Sequence, residues 1–202
     1  MNSIELKIDG HVKIYDPVTA EIFVDKHNAI HYENFSEALA YSIANKGTNY
    51  IYEMHFGNGG TSVDPTGVIS YLPPNSTGQT SNLYNKTYHK IVDDTSILNL
   101  DKLRNKIEVR HIPGTIYTDI LVSCLLDYGE PATQAAFDNA ANLDGEYVFD
   151  ELGLKGYMPN QPGNGKLLTH VIFHPVQKSL NRLIQIDYTV RISALTNLSA
   201  IG

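Results

Sequence analysis

The chain has 202 residues, 42% of them hydrophobic, with 22 acidic against 15 basic side chains and a net charge of -7. That is enough apolar material for the core of one large domain and excludes a wholly disordered chain. The acidic balance, with lysines and arginines scattered rather than clustered, excludes the basic stripe of a dedicated nucleic-acid binder; a single cysteine, Cys124, excludes an intrachain disulfide or a thiolate zinc site.

The N-terminus, MNSIELKIDG, lacks the basic start and apolar stretch of a signal peptide. No apolar run reaches the ~18 residues that would span a bilayer. The chain is therefore expected to be soluble and cytoplasmic in origin, which leaves the sequons at Asn34, Asn75, Asn85 and Asn197 without consequence. Ile4, Leu6 and Ile8 alternate with polar residues, and Val12 and Ile14 resume the alternation after Asp9-Gly10, so a hairpin with a tight turn is predicted there. DPVTAE at 16–21 predicts a second turn, leading into a strand with Ile22 and Val24.

NFSEALAYSIANKG predicts the one helix, over about 34–46, with Asn34 as cap, Glu37 completing a capping box and Gly47 closing the end. Phe35, Ala38, Leu39, Ser42 and Ile43 share a face at helical spacing, so the helix is expected to cover a sheet. The alternation from Tyr50 to Phe56 predicts a strand that ends in Gly57-Asn58-Gly59-Gly60. A long extended loop, rich in Ser, Thr, Asn, Gly and Pro, is expected at about 61–90, and loops of that length usually carry contacts.

The second half is again β. NKIEVRHI, TDILVSCLLDY, LLTHVIFH and LIQIDYTVRISAL are all strand-like, and in the last Ile184, Ile186, Tyr188, Val190 and Ile192 face one way. Cys124 sits in such a strand with no charged neighbour and is expected to be an inert small hydrophobe. PATQAAFDNAAN at 131–142 predicts a short helix. With no repeat and no linker, residues 1–202 are expected to form a single domain. Its expected class is mainly β, an antiparallel β-sandwich or barrel-like domain with one short packed α-helix and long loops.

Candidate chemistry is sparse. The glycines at 57, 59 and 60 are followed by Thr-Ser-Val-Asp-Pro, without the lysine and helix of a phosphate-binding loop, so Gly57, Gly59 and Gly60 are expected to shape the backbone rather than hold a ligand. QPGNGKLL at 161–168 precedes a strand and lacks the upstream glycine. A calcium-loop frame starting at Ala140 places Asn142, Asp144, Gly145 and Glu151 correctly, but alanine supplies no first ligand, so a turn with a solvated acidic edge is expected. His27 with His31 and His170 with His174 are four apart, a spacing of roughly 13 Å along a strand, too wide to share a metal. No nucleophile elbow is present, and the adjacent acids Asp93-Asp94 and Asp150-Glu151 are expected to be solvated. No catalytic residue, cofactor or metal is expected. Thirteen tyrosines and no tryptophan remain, and Tyr71, Tyr84 and Tyr88 beside the polar loop suit contact with a protein or a sugar.

The stretch from Asn28 to Gly67 resembles a layout of virion structural proteins of tailed bacteriophages. An Asn-x-Ile turn (Asn28, Ile30) leads to a short helix (Ala38 to Ala44), a strand (Ile51 to Phe56), the loop Gly57-Asn58-Gly59-Gly60-Thr61 and the turn Asp64-Pro65-Thr66-Gly67. LTHVIFHPVQKSLNRLIQIDYTVRISALTN at 168–197 is similar to the closing β-segment of such proteins. The resemblance implies a non-enzymatic subunit of a neck, collar, tail, baseplate, fibre attachment or capsid surface. Its implied partners are further copies of itself and other virion proteins, with no direct nucleic-acid role and no membrane, and it would be assembled in the host cytoplasm. The competing class is a module that binds host-surface glycans through the tyrosine-rich loop.

Overall fold

A computed structural model describes residues 4–132 and 146–196. Its elements are β1 (Ile4–Tyr15), β2 (Ile22–Ile30), α1 (Tyr32–Ile43), β3 (Ile51–Gly57), β4 (Thr61–Val63), β5 (Ile69–Tyr71), β6 (Lys86–Ile91), β7 (Lys106–His111), β8 (Tyr117–Leu126), β9 (Glu146–Gly156), β10 (Thr169–Ser179) and β11 (Ile184–Thr196). Nine strands form one antiparallel sheet in the order β6-β3-β9-β10-β2-β1-β11-β8-β7, which curls into a half-barrel, and β4 with β5 forms a separate hairpin. The described part of the chain is thus mainly β and barrel-like, with one short helix among the described residues.

Strict alternation sends one row of each strand inward. On β11, Ile184, Ile186, Tyr188 and Val190 are buried, and they face Ile14, Val12 and Gly10 of β1 on one side and Leu126, Cys124 and Val122 of β8 on the other. Burial pushes the Cys124 thiol up to about 12, so it packs as a hydrophobe. Phe149 joins the β9 side of the core, edge-on to Phe56 and Phe173. The helix closes part of the concavity with Phe35 and Ala38.

Several expectations need correction. Asp9-Gly10 makes no turn, because β1 runs straight through it and pairs on both sides, Gly10 with Asn28 and with Val190. Two-sided pairing outweighs a local turn preference of about 1 kcal/mol. A Cβ at Gly10 would lie 1.7 Å from Asn28 Oδ1, so the glycine marks a close approach. The helix starts before Asn34: His31 is the N-cap, its Nδ1 accepting from the Asn34 amide at 3.3 Å, while Asn34 is buried and donates to Leu167 O. Glu37 pairs with Lys166 instead of closing a capping box, and the chain leaves the helix through Asn45 at φ 51. The 61–90 loop contains the β4–β5 hairpin and ends in β6. The DPVTAE turn is present, with Asp16 Oδ1 accepting from the amides of Val18 and Thr19.

The 131–142 helix, from residue 133 onward, and Asn142, Asp144 and Gly145 lie outside the described residues. Glu151, read as part of a solvated acidic edge, belongs to β9, which lies between β3 and β10 and which its charges had disguised. Asp150 and Glu151 are both buried, as is Asp93.

Candidate functional site

The register of β3 and β9 sorts their side chains. Met54 and Phe56 face Leu154 and Leu152 in the core, while Glu53, His55 and Gly57 face Lys155, Gly153 and Glu151 on the outer side. His89 of β6 lies opposite His55. This outer face is strongly polar, yet Glu53, His55, Glu151, Lys155 and His170 are all buried, because the segment from Asn75 to Asn85 and the turn at Gly163 are fastened over it.

The glycine segment does bind an anion, and the anion belongs to the protein. Glu151 Oε1 accepts from the amides of Gly59 (3.1 Å) and Asn85 (2.8 Å), and Oε2 from the Tyr84 amide (2.9 Å) and His170 Nε2 (3.0 Å). Asp150 accepts from the amides of Gly60 and Thr61, both at 2.9 Å, and from the Thr61 hydroxyl. The Asn75 amide donates to His170 Nδ1 at 2.8 Å, which leaves Nε2 as the nitrogen that faces Glu151 as a donor. Burial pushes Glu151 up, but His170 and the three amides together hold it below the usual carboxylate value. For Asp150 burial outweighs its hydrogen bonds and the value is raised.

Gly57, Gly59 and Gly60 serve this cradle by their lack of a side chain. None has positive φ, but a Cβ would lie 2.4 Å from Glu151 Oε1 at Gly57, 2.7 Å from Asn85 N at Gly59 and 2.9 Å from Ile172 Cγ2 at Gly60.

A second buried group went unnoticed in the sequence, since its members come from four separate segments. Both oxygens of Glu53 accept from the Gly163 amide, at 2.8 and 3.0 Å. His55 Nε2 lies 3.2 Å and His89 Nε2 3.7 Å from Glu53 Oε2, but the His55 contact lacks hydrogen-bond geometry, and neither His55 nitrogen has a hydrogen-bond partner among the described residues. Burial first, and then Lys155 and Lys86, hold His55 well below the usual histidine value, while burial raises Glu53. Among the described residues no three His, Cys, Asp or Glu side chains are arranged to hold a metal. His27 and His31 use separate partners, Gly10 O and Gly78 O, and His174 meets the Tyr71 hydroxyl.

Lys155 supplies a pH test. Its burial lowers the ammonium pKa to about 8, against about 10.4 for an unfolded lysine. Between those values the unfolded chain holds a proton that the folded chain has released, so stability rises with pH across this window. Lys178, also lowered to about 8, has the same sign. Lys155→Met is expected to make the rise shallower without lowering the midpoint near neutrality, since Asn82 Oδ1 and Gly163 O each keep another donor. Thermal unfolding midpoints at about pH 7.5 and 9.5 check it; an unaltered slope refutes the assignment.

The surface offers different material. Tyr71 (51% exposed) and Tyr84 (41%) show ring faces, their hydroxyls engaged by His174 and by Pro73 O. Tyr88 is partly buried against the core, beside Phe56. At the β7 end of the half-barrel the inner face is open among the described residues. A cleft of about 390 Å³ opens there between α1 and the sheet, lined by Phe35, Leu39, Ile107, Val109, Ile120 and Ile192. Nearby, Ile97, Leu100 and Leu103 are 90%, 98% and 87% exposed, and Val109, Ile112 and Ile116 are exposed too. The signal for this patch was present in SILNLDKL, an apolar run in a segment without strand or helix pattern. Among the described residues no helix is long and apolar enough to cross a membrane. Comparison with protein-family models, curated proteins and solved structures gives no match for this chain.

Proposed function

We propose that this chain is a non-enzymatic structural subunit that assembles in many copies, and that the particle is the virion of a tailed bacteriophage. The carrying observation, among the described residues, is the β7 end of the half-barrel with its apolar cleft and terminal strand edge, together with the exposed Ile97, Leu100 and Leu103. An apolar cleft and several almost fully exposed large aliphatic side chains suit contact with a partner, and a terminal strand edge presents backbone groups to a neighbour. The kind of particle rests on the resemblance of residues 28–67 and 168–197 to virion proteins. Both buried polar groups are enclosed by the chain's own loops, which suits a structural role for them.

Sedimentation over a wide concentration range tests this reading. Native protein is expected to self-associate, and the triple variant Ile97→Ser, Leu100→Ser, Leu103→Ser to associate about tenfold or more weakly with its unfolding midpoint unchanged, because the three side chains stabilise nothing within the monomer. A native chain that stays monomeric at the highest concentrations sinks the proposal. The half-exposed Tyr71 and Tyr84 rings favour a second reading, a host-glycan-binding module; under it Tyr84→Ala abolishes sugar retention and leaves self-association unaltered.

A further inference from the structure

We infer that a second copy of this chain pairs with the β7 edge in antiparallel fashion, about a two-fold axis at Val109. The inference rests on the assembly reading above and names its first contact. Among the described residues β7 ends the sheet, pairing with β8 alone, and residues Glu108 to His111 are exposed. Ile107 and Val109 point to the apolar cleft, so Lys106, Glu108 and Arg110 occupy the opposite face.

Charge complementarity selects the register. In antiparallel pairing about a two-fold axis, paired positions have a constant sum, and residues directly opposite point to the same face. Registers with an odd sum set Val109 against Glu108 or another polar-face residue, and so break the apolar face. With Glu108 opposite its own copy, carboxylate meets carboxylate and Lys106 meets Arg110. With Ile107 opposite itself, Glu108 meets Lys106 twice over, but Arg110 meets Arg104 twice as well and Val109 is set against the polar Asn105. With Val109 opposite itself, Glu108 faces Arg110 of the second copy twice over, and Ile107 faces His111. This last register places opposite charges together, keeps the two apolar faces on one side and joins the two clefts across the axis.

The edge charges carry mixed signs. A row of lysines would block any partner, whereas Lys-x-Glu-x-Arg is self-complementary. Arg110 is also available: its register neighbour on β8 is Asp119, but that carboxylate is held by Arg191 at 2.6 and 2.8 Å, and among the described residues Arg110 forms no ion pair. The isologous contact uses the same patch on both chains and closes at two copies, leaving the Ile97–Leu103 patch for other neighbours.

The test is charge exchange on the full chain, read by sedimentation velocity. E108R and R110E each set like charges opposite one another twice, and each is expected to weaken dimerisation by about tenfold or more. The double variant E108R/R110E restores opposite pairs and is expected to recover dimerisation. Hydrogen exchange at residues 106–111, slowing as native protein is concentrated, gives a readout that needs no variant. If the reversals leave association unaltered and exchange at 106–111 does not respond to concentration, the β7 contact is wrong and assembly proceeds through another surface. If the native chain never associates, the assembly reading itself fails.

Discussion

Replacing Glu151 by leucine is expected to cost the fold about 3–5 kcal/mol, most or all of the margin of an ordinary domain. The side chain is fully buried, and its two oxygens are the acceptors for the amides of Gly59, Tyr84 and Asn85 and for His170 Nε2. A buried ion pair can often be exchanged for apolar residues at little cost when both partners are removed. Here three donors are main chain and stay in place, each unpaired amide costing about 1–3 kcal/mol. Urea unfolding followed by tryptophan-independent signals, far-ultraviolet circular dichroism or tyrosine fluorescence, measures the loss. A shift below about 1 kcal/mol would mean that the amides find other partners and that the cradle contributes little.

The same site sets an acid limb. Glu151 is held below the value of about 4.3 for an unfolded glutamate, so its contribution is fully present above that value and is lost as pH falls through the folded pKa. Asp150 is raised, so it works in the opposite sense: its contribution is present below about 3.9 and is lost as pH rises through the folded value. Adjacent acids on one strand therefore oppose each other in pH dependence, and of the two it is Glu151 that contributes to the loss of stability on acidification. Glu151→Gln, already less stable at neutral pH, is expected to lose less on further acidification than the native chain.

What could be read from the sequence was governed by local pattern. β11 was legible because the eleven residues from Ile184 to Ala194 alternate between apolar and polar, and α1 because its apolar residues repeat at helical spacing. Cues that compete with long-range pairing misled. Asp9-Gly10 has the chemistry of a hairpin turn, but β2 and β11 flank it and impose a straight strand. β9 was hidden since Asp150, Glu151 and Lys155 break the apolar pattern, and what permits their burial lies far off in sequence: Gly60 is 90 residues from Asp150, and Asn82 is 73 from Lys155. No spacing rule reaches that far. The missing lysine and helix argued against a phosphate loop at Gly57–Thr61, but local sequence could not show that amides of this segment donate to the protein's own carboxylates.

Gly59→Val is expected to be a severely damaging change at the glycine segment, at about 3 kcal/mol or more. Even a lone Cβ would lie 2.7 Å from Asn85 N, 2.8 Å from Tyr84 Cβ and 2.9 Å from Asn85 Cβ, and these belong to the strand entry that donates to Glu151. Relief requires the 84–85 backbone to move away from the cradle, which lengthens two of its hydrogen bonds. Steric exclusion is distinguishable from a conformational effect by comparison with Gly67, whose φ is +88 and whose Cβ would meet open space. Gly67→Ala should cost only the left-handed penalty of about 1–2 kcal/mol. The decisive comparison is a double-mutant cycle: if valine at 59 acts by prising the chain off Glu151, then Gly59→Val and Glu151→Leu destroy the same bonds, and the double variant loses clearly less than the sum of the singles. Additive losses in urea unfolding would show that the glycine and the carboxylate stabilise the fold separately, and the cradle would no longer account for the glycine.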